Sequence, residues 1–344
     1  MSNDPRILII RRRYLGDIVL LSPVLRNLRR HWPASRLSTL VEPAYADVLR
    51  LLPEVDAVVP VPRRLRDWPR FLGSIRAARF THVFDFDNTE RTALITRASG
   101  ARFRLALHHG DHRVKLRRAY TQIVHDPAGR HEQQSTSEYY LGALRAAGVP
   151  VASAATRLIP RSGDVAEMRA LVGDGRTLLV HPGSRSAARI WPMDRFAAVC
   201  RRVQNELGVP LALAGGPGEQ SLLEDVRRRA ECEFVSVPDT QSILRFAALA
   251  QCSALLLCHD SGPMHVAAAV GTRVVALLGS QNAKLFAPTG DGHTLLQPPL
   301  PCAGACVAPR VCVREDSYRS FCVRRLSVEA VFAAVKTALA SRRA

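Results

Sequence analysis

Asp17 stands in the turn Arg13-Tyr14-Leu15-Gly16-Asp17, directly after the first apolar run of the chain. A carboxylate facing a ligand cleft at that place suits general-base removal of a hydroxyl proton. The same residue in the first turn of a helix is also favoured by the macrodipole, and the residue types alone leave both readings open. Three later stretches have the composition of anion sites. In His181-Pro182-Gly183-Ser184-Arg185, followed by Arg189-Ile190-Trp191-Pro192, small residues let backbone N–H groups approach a phosphate and the arginines add charge. Leu213-Ala214-Gly215-Gly216-Pro217-Gly218-Glu219 is a glycine-rich strand-to-helix turn fit for close approach of a nucleoside or phosphate, or simply a tight turn. His259-Asp260-Ser261-Gly262-Pro263-Met264-His265 joins a strand to a helix, where Ser261 and the N–H of Gly262 meet the positive helix end. Plain capping by Asp260 or Ser261 is the alternative there.

Two further groups have metal-ligand character. Asp85-Phe86-Asp87 is a D-x-D at the end of a strand. Cys302, Cys306, Cys312 and Cys322 could supply four thiolates to zinc or iron. They lack a C-x-x-C knuckle, and reduced structural thiols are the alternative. The other cysteines, Cys200, Cys232, Cys252 and Cys258, lie among apolar residues and read as core.

The elements that must hold these residues follow from periodicity. Strands are expected at Ile7–Ile10, Leu37–Val41, Ala57–Val61 and His82–Phe86, because buried parallel strands read as short apolar runs. Helices are expected over Asp17–Arg30, Ala44–Leu51, Trp68–Arg79, Thr89–Ala98 and Ser137–Ala147. Residues 107–135 read as a long polar loop, a binding loop or lid, and Gly148 to about Asp164 as a linker. Strands return at Leu178–Val180, Leu211–Leu213, Ala254–Leu257 and Val274–Leu278, each followed by a turn and a helix. The alternation predicts two doubly wound α/β domains, with ligand at the carboxyl ends of both sheets.

Length and charge bound the rest. The 344 residues suit two domains. Neither a signal peptide nor an apolar run of membrane-spanning length is legible, so a cytoplasmic protein is expected. The formal charge of +18 favours acidic partners. It is carried almost wholly by arginine, with lysine only at positions 115, 284 and 336. No nucleic-acid-binding signature accompanies it, which points away from DNA and RNA. A dehydrogenase or epimerase is disfavoured too, since the first turn has one glycine where G-x-G-x-x-G would stand.

From about residue 6 to 335 the sequence resembles glycosyltransferase family nine, the ADP-heptose:lipopolysaccharide heptosyltransferases. The resemblance is carried in order by Gly16-Asp17, Asp85 to Leu94, His181-Pro182-Gly183, Arg189-Ile190-Trp191-Pro192, Gly215-Gly216-Pro217 and Asp260-Ser261-Gly262-Pro263-Met264-His265 with the Val266-Ala267-Ala268-Ala269 that follows. It implies a GT-B fold: an acceptor-binding Rossmann-like domain at 1–160, a nucleotide-sugar domain at 161–326, and a helix within 327–344 packing back towards the N-terminal domain. It implies inverting transfer of heptose from ADP-L-glycero-D-manno-heptose to a Kdo or heptose of the lipopolysaccharide inner core, with no metal and no cofactor. Asp17 is then the general base. Donor contacts fall to Gly183, Ser184, Arg185, Arg189, Gly215, Gly216, Glu219, Asp260, Ser261, Gly262 and His265. Acceptor contacts fall to the arginine strip Arg63, Arg64 and Arg66, whose alternative is a solvated face. The acidic acceptor would be met at the inner-membrane surface, with peripheral docking of the protein there. Arg189 replaces a usual lysine, Gly218 stands where an acid commonly reaches the ribose, and Asp87 replaces a usual glutamine. One branch of the family modifies proteins and carries a four-cysteine iron site. A protein acceptor, or a nucleotide-sugar-binding protein without turnover, are the alternative functions.

Overall fold

The structure, a computed structural model, describes residues 4–109, 114–126, 133–186, 189–279, 281–298 and 322–341. The chain divides into two compact units, Met1–Arg157 and Leu158–Ala344.

The first unit is built on six parallel strands: β1 (Arg6–Ile10), β2 (Arg36–Val41), β3 (Ala57–Pro60), β4 (His82–Asp85), β5 (Phe103–His109) and β6 (Gln122–Asp126). Their order is β3-β2-β1-β4-β5-β6. Strand β1 is central, and Ile7 to Ile10 are wholly buried, which is why they read as an unbroken apolar run. From β1 the chain moves outward to β2 and β3, then returns across the sheet to β4 and moves the other way. Right-handed crossovers therefore place the two sets of helices on opposite faces. One layer holds α1 (Leu15–Leu20), α2 (Ser22–His31) and α5 (Thr136–Ala146), which pack together. The other holds α3 (Trp68–Ala77), α4 (Glu90–Ser99) and the 3-10 turn Arg117–Ala119, with α4 in contact with both of the others. Helix α4 ends where Gly100 takes the left-handed conformation at φ 64°, which favours glycine.

Four expectations change here. The helix expected over 17–30 is two helices joined at Leu21, because Pro23 opens a new helix instead of continuing the old one. Residues 44–51 form 3-10 turns, Pro43–Tyr45 and Asp47–Leu51. The polar stretch 107–135 is not one loop: it holds the end of β5, a 3-10 turn and the whole of edge strand β6. Residues 148–157 are pinned to α2: buried Asn27 donates to the Ser153 carbonyl and accepts from the N–H groups of Ala152 and Ser153, while Ser22 accepts from the Arg157 N–H. The expected linker also ends early, at α6 (Ser162–Val172).

The second unit carries five parallel strands: β7 (Leu178–His181), β8 (Leu211–Leu213), β9 (Leu255–His259), β10 (Val274–Leu277) and β11 (Thr294–Leu296). Their order is β11-β10-β9-β7-β8. Helices α7 (Met193–Leu207), α8 (Gln220–Ala230), α9 (Ile243–Cys252) and α10 (Gly262–Ala269) follow strands or turns, with a short α11 (Ala283–Phe286) before β11. The last helix, α12 (Val328–Ala340), inserts Val331, Phe332, Val335 and Ala338 into this unit's core beside Trp191, Phe196 and Leu257. It is integral to the second unit, where the sequence reading set 327–344 apart as a segment of its own.

Candidate functional site

At the carboxyl edge of the first sheet, Asp17 sits in the opening turn of α1. Its Oδ2 accepts from the Tyr14 N–H at 3.1 Å, which caps the helix. Its Oδ1 meets the Arg11 guanidinium at 2.8 Å and accepts from the Tyr140 hydroxyl at 3.2 Å. The side chain keeps 21% of its surface exposed, so an incoming hydroxyl can reach it. Helix capping and a reactive position are thus compatible in one carboxylate.

Arg11 is held in turn. Its guanidinium donates to the Phe86 carbonyl at 2.9 Å and to Asp87 Oδ1 at 3.1 Å, and it lies over the Tyr140 ring. The other Asp87 oxygen takes the backbone N–H of Arg12 at 3.2 Å and the Arg12 guanidinium at 2.9 Å. Arg12 extends to Glu42, at the end of β2, at 3.4 Å. Asp87, unexplained by sequence, is the anchor that fixes two consecutive arginines and through Arg11 orients Asp17. Arg11 and Tyr140 are not among the residues singled out in the sequence, and Asp87 is marked there only as half of a D-x-D and as the replacement of a glutamine. Arg11 and Arg12 meet a partner that lies far away in sequence.

Asp85, two residues before, is wholly buried. Its Oδ1 accepts from the N–H groups of Asp87 and Asn88, and its Oδ2 from the Tyr120 hydroxyl at 2.7 Å. Burial pushes its pKa up to about 6, against those hydrogen bonds, and the charge of Asp87 adds to the rise. The oxygens of this D-x-D are therefore engaged by the chain's own donors. Arg63, Arg64 and Arg66 lie apart from this network, exposed on and just before the 3-10 turn Leu65–Asp67.

At the carboxyl edge of the second sheet, the three anion-type turns follow β7, β8 and β9. Glu219 ties the first two: its Oε2 accepts from the Gly216 N–H at 2.7 Å and stands 3.6 Å from His181 Nε2. The same carboxylate fills the space a Cβ would need on Gly183, so glycine is required for this packing. Burial holds the His181 imidazole below its ordinary pKa, with the Glu219 charge opposing.

His259 ties the first and third turns. Its Nε2 accepts from the Trp191 N–H at 2.8 Å, so Nδ1 carries the proton and donates to the Gly183 carbonyl at 3.3 Å. Burial pushes its pKa down to about 3, with the Gly183 hydrogen bond opposing. The sequence reading passed over this residue. Next to it, Asp260 meets Arg189 at 3.5 Å. Ser261 is the N-cap residue of α10 yet makes no capping hydrogen bond; its hydroxyl donates to the His259 carbonyl at 3.3 Å. Capping by the Ser261 hydroxyl is not realised, and the N–H of Gly262 heads a helix whose next residue, Pro263, has none. His265 is buried one turn on, and Arg185 is exposed. Ser184, Gly215 and Gly216 complete the same edge.

Cys302, Cys306 and Cys312 lie outside the described residues, whereas Cys322 is buried at the head of the 3-10 turn Cys322–Arg325. Among the described residues no three His, Cys, Asp or Glu side chains cluster in metal-binding fashion, and no helix is long and apolar enough to cross a membrane.

Comparison with known proteins places these edges in context. Residues 68–310 match the sequence model of "Glycosyltransferase family 9 (heptosyltransferase)". Lipopolysaccharide heptosyltransferase 3 of Escherichia coli strain K12 is 24% identical over 80% of this chain and 83% of its own. Lipopolysaccharide heptosyltransferase 1 of Pseudomonas aeruginosa is 24% identical over 87% and 85%. Among solved structures, a family 9 glycosyl transferase of Veillonella parvula superposes with a TM-score of 0.80 at 21% identity, covering 99% of both chains. E. coli ADP-heptose lps heptosyltransferase II gives 0.76 at 18%, covering 98% and 100%, and E. coli heptosyltransferase WaaC with ADP gives 0.67 at 18%, covering 96% and 97%. The structural likenesses establish the fold as GT-B, with two parallel-sheet α/β units. The match across most of the sequence establishes the family: this chain is an enzyme, a glycosyltransferase, and belongs to glycosyltransferase family 9, the heptosyltransferases.

Proposed function

We propose that the protein transfers heptose from ADP-L-glycero-D-manno-heptose to a Kdo or heptose of the lipopolysaccharide inner core, with inversion and without a metal ion. The observation that carries this reading is the setting of Asp17: a carboxylate oriented by Arg11, Tyr140 and the Tyr14 N–H, and open to solvent. In the reaction the acceptor hydroxyl gives its proton to Asp17 as its oxygen bonds to the anomeric carbon. The bond from that carbon to the ADP oxygen breaks on the opposite face, and the electron pair leaves with the diphosphate. Developing charge there is met by the N–H groups at the head of α10 and by Arg185 and Arg189. Gly183, Ser184, Asp260, Ser261, Gly262 and His265 hold the diphosphate and sugar, while Gly215, Gly216 and Glu219 face the nucleoside. Arg63, Arg64 and Arg66 take the acidic groups of the acceptor at the inner face of the cytoplasmic membrane. The similarity to lipopolysaccharide heptosyltransferases supports the acceptor class, and solved structures of E. coli WaaC with ADP and with ADP-2-deoxy-2-fluoro heptose support the donor.

The test is ADP release from ADP-heptose, with and without purified inner-core acceptors. Acceptor-dependent release is expected, falling by roughly 100- to 10,000-fold in Asp17→Asn while donor binding persists. Donor binding with no release on any acceptor would replace this reading with a binding protein. No donor binding would remove the heptose assignment.

A further inference from the structure

We propose that the outward side of the α3–α4 layer of the first unit is a docking surface for an anionic lipid bilayer. Leu65 is 85% exposed, although apolar, and is flanked by exposed Arg63, Arg64 and Arg66. Helix α4 buries Thr92, Ala93, Ile95, Thr96 and Ser99 against the sheet, which turns Arg91, Leu94 and Arg97 outward together. Leu94 is 56% exposed. The turn packed on the other flank of α4 presents Lys115, Arg117 and Arg118, with Leu116 at 49% exposure among them. Arg91 lies over the Trp68 ring, which joins α4 to the segment carrying Leu65. Three exposed leucines, each with exposed cations beside it in sequence or on the same helix face, thus lie on contacting elements of one layer. Asp67 and Glu90 are the acids interspersed with them, paired to Arg66 and Lys115.

The combination selects the partner. Exposed apolar side chains cost hydration free energy in water and recover it in the headgroup–acyl boundary. The arginines are drawn to anionic headgroups and act only within about 10 Å of the surface at ordinary salt. A nucleic acid would be met by aromatic stacking or hydrogen-bonding side chains among the cations, not by leucines. The proposal draws its purpose from the lipid-borne acceptor above, but its evidence is the surface alone.

The test is co-sedimentation of the full chain with vesicles of phosphatidylcholine alone or of equal parts phosphatidylcholine and phosphatidylglycerol, with no acceptor present. Binding is expected to the anionic vesicles only, weakening as salt rises. Leu65→Ser/Leu94→Ser/Leu116→Ser should lower the partition coefficient at least ~10-fold. Turnover of a deacylated, water-soluble acceptor should be unchanged in that variant, which also reports that it folds. Arg91→Glu/Arg117→Glu/Arg118→Glu should abolish binding independently. Equal binding to neutral vesicles, failure to bind anionic ones, or retention on a polyanion without vesicle binding would overturn the proposal. Vesicle binding without turnover of any acceptor would sustain it and sink the reaction assigned above.

Discussion

Replacing Asp85 with asparagine should make the first unit more stable at neutral pH than at acid pH, relative to the unaltered protein. Burial raises this carboxyl from 3.8 to about 6 in the folded chain, so the folded state favours the protonated form. The stability that this preference lends is complete below the unfolded value and is withdrawn as pH rises through about 6. At 1.36 kcal/mol for each tenfold change, the withdrawal amounts to about 3 kcal/mol. Asparagine is neutral throughout. Its Oδ1 can accept the Asp87 and Asn88 N–H groups as Asp85 does, and its amide can face the Tyr120 hydroxyl. The stability of Asp85→Asn minus that of the parent should therefore climb by about 3 kcal/mol between roughly pH 4 and pH 8. Urea unfolding followed by tryptophan fluorescence would read it in a Trp191→Phe background. Trp32 and Trp68, the remaining reporters, both lie in the first unit. A difference that stays flat across that range, or falls, would refute the argument that burial dominates this carboxyl.

Asp87→Asn should cost about 3–5 kcal/mol, because Arg11 and Arg12 lose the charge that compensates their burial; urea midpoints would show it, and turnover should drop along with the orientation of Asp17. His259 should remain a neutral Nδ1–H tautomer from about pH 5 to pH 9, since its pKa is pushed down to about 3, with nitrogen-detected NMR as the check and protonation near pH 6 as the contrary result. His259→Leu should cost about 2–4 kcal/mol by stranding the Trp191 N–H and the Gly183 carbonyl, and should raise the donor KM, as equilibrium unfolding and steady-state kinetics would report. Gly183→Ala should displace Glu219, cost about 1 kcal/mol for the lost Gly216 hydrogen bond, and weaken donor binding measured by calorimetry.

Strand β1 was legible in the sequence because it is covered on both faces and Ile7–Ile10 form an unbroken apolar run. Strand β6 was not, since an edge strand with Gln122 and His125 has neither the apolar run nor a clean alternation. Pro23 did signal a break, but two helices that meet at Leu21 keep one continuous apolar stripe and so resemble a single element. At the candidate site, the turns were visible through their glycines and their place after strands. What held them was not. Arg11 meets Asp87, and His259 meets Trp191 and Gly183, across separations of about 70 residues that only the parallel topology closes. Residue type marked Asp87 only as half of a D-x-D and gave His259 no distinguishing mark, because neither acts through its immediate neighbours.

The position of α12 bears on how the molecule is made. The first unit has all its strands and helices by residue 157 and can acquire its core while synthesis continues. The second cannot. Its core waits for Val331, Phe332, Val335 and Ala338, and the indole of Trp191 waits for the Leu326 carbonyl. Until residue 340 has cleared the ribosome, the apolar faces of α7, β9 and β10 that this helix covers remain open to solvent. A nascent chain stalled between those points would hold a finished first unit beside an unsealed second one, the form in which chaperones and proteases would meet this protein.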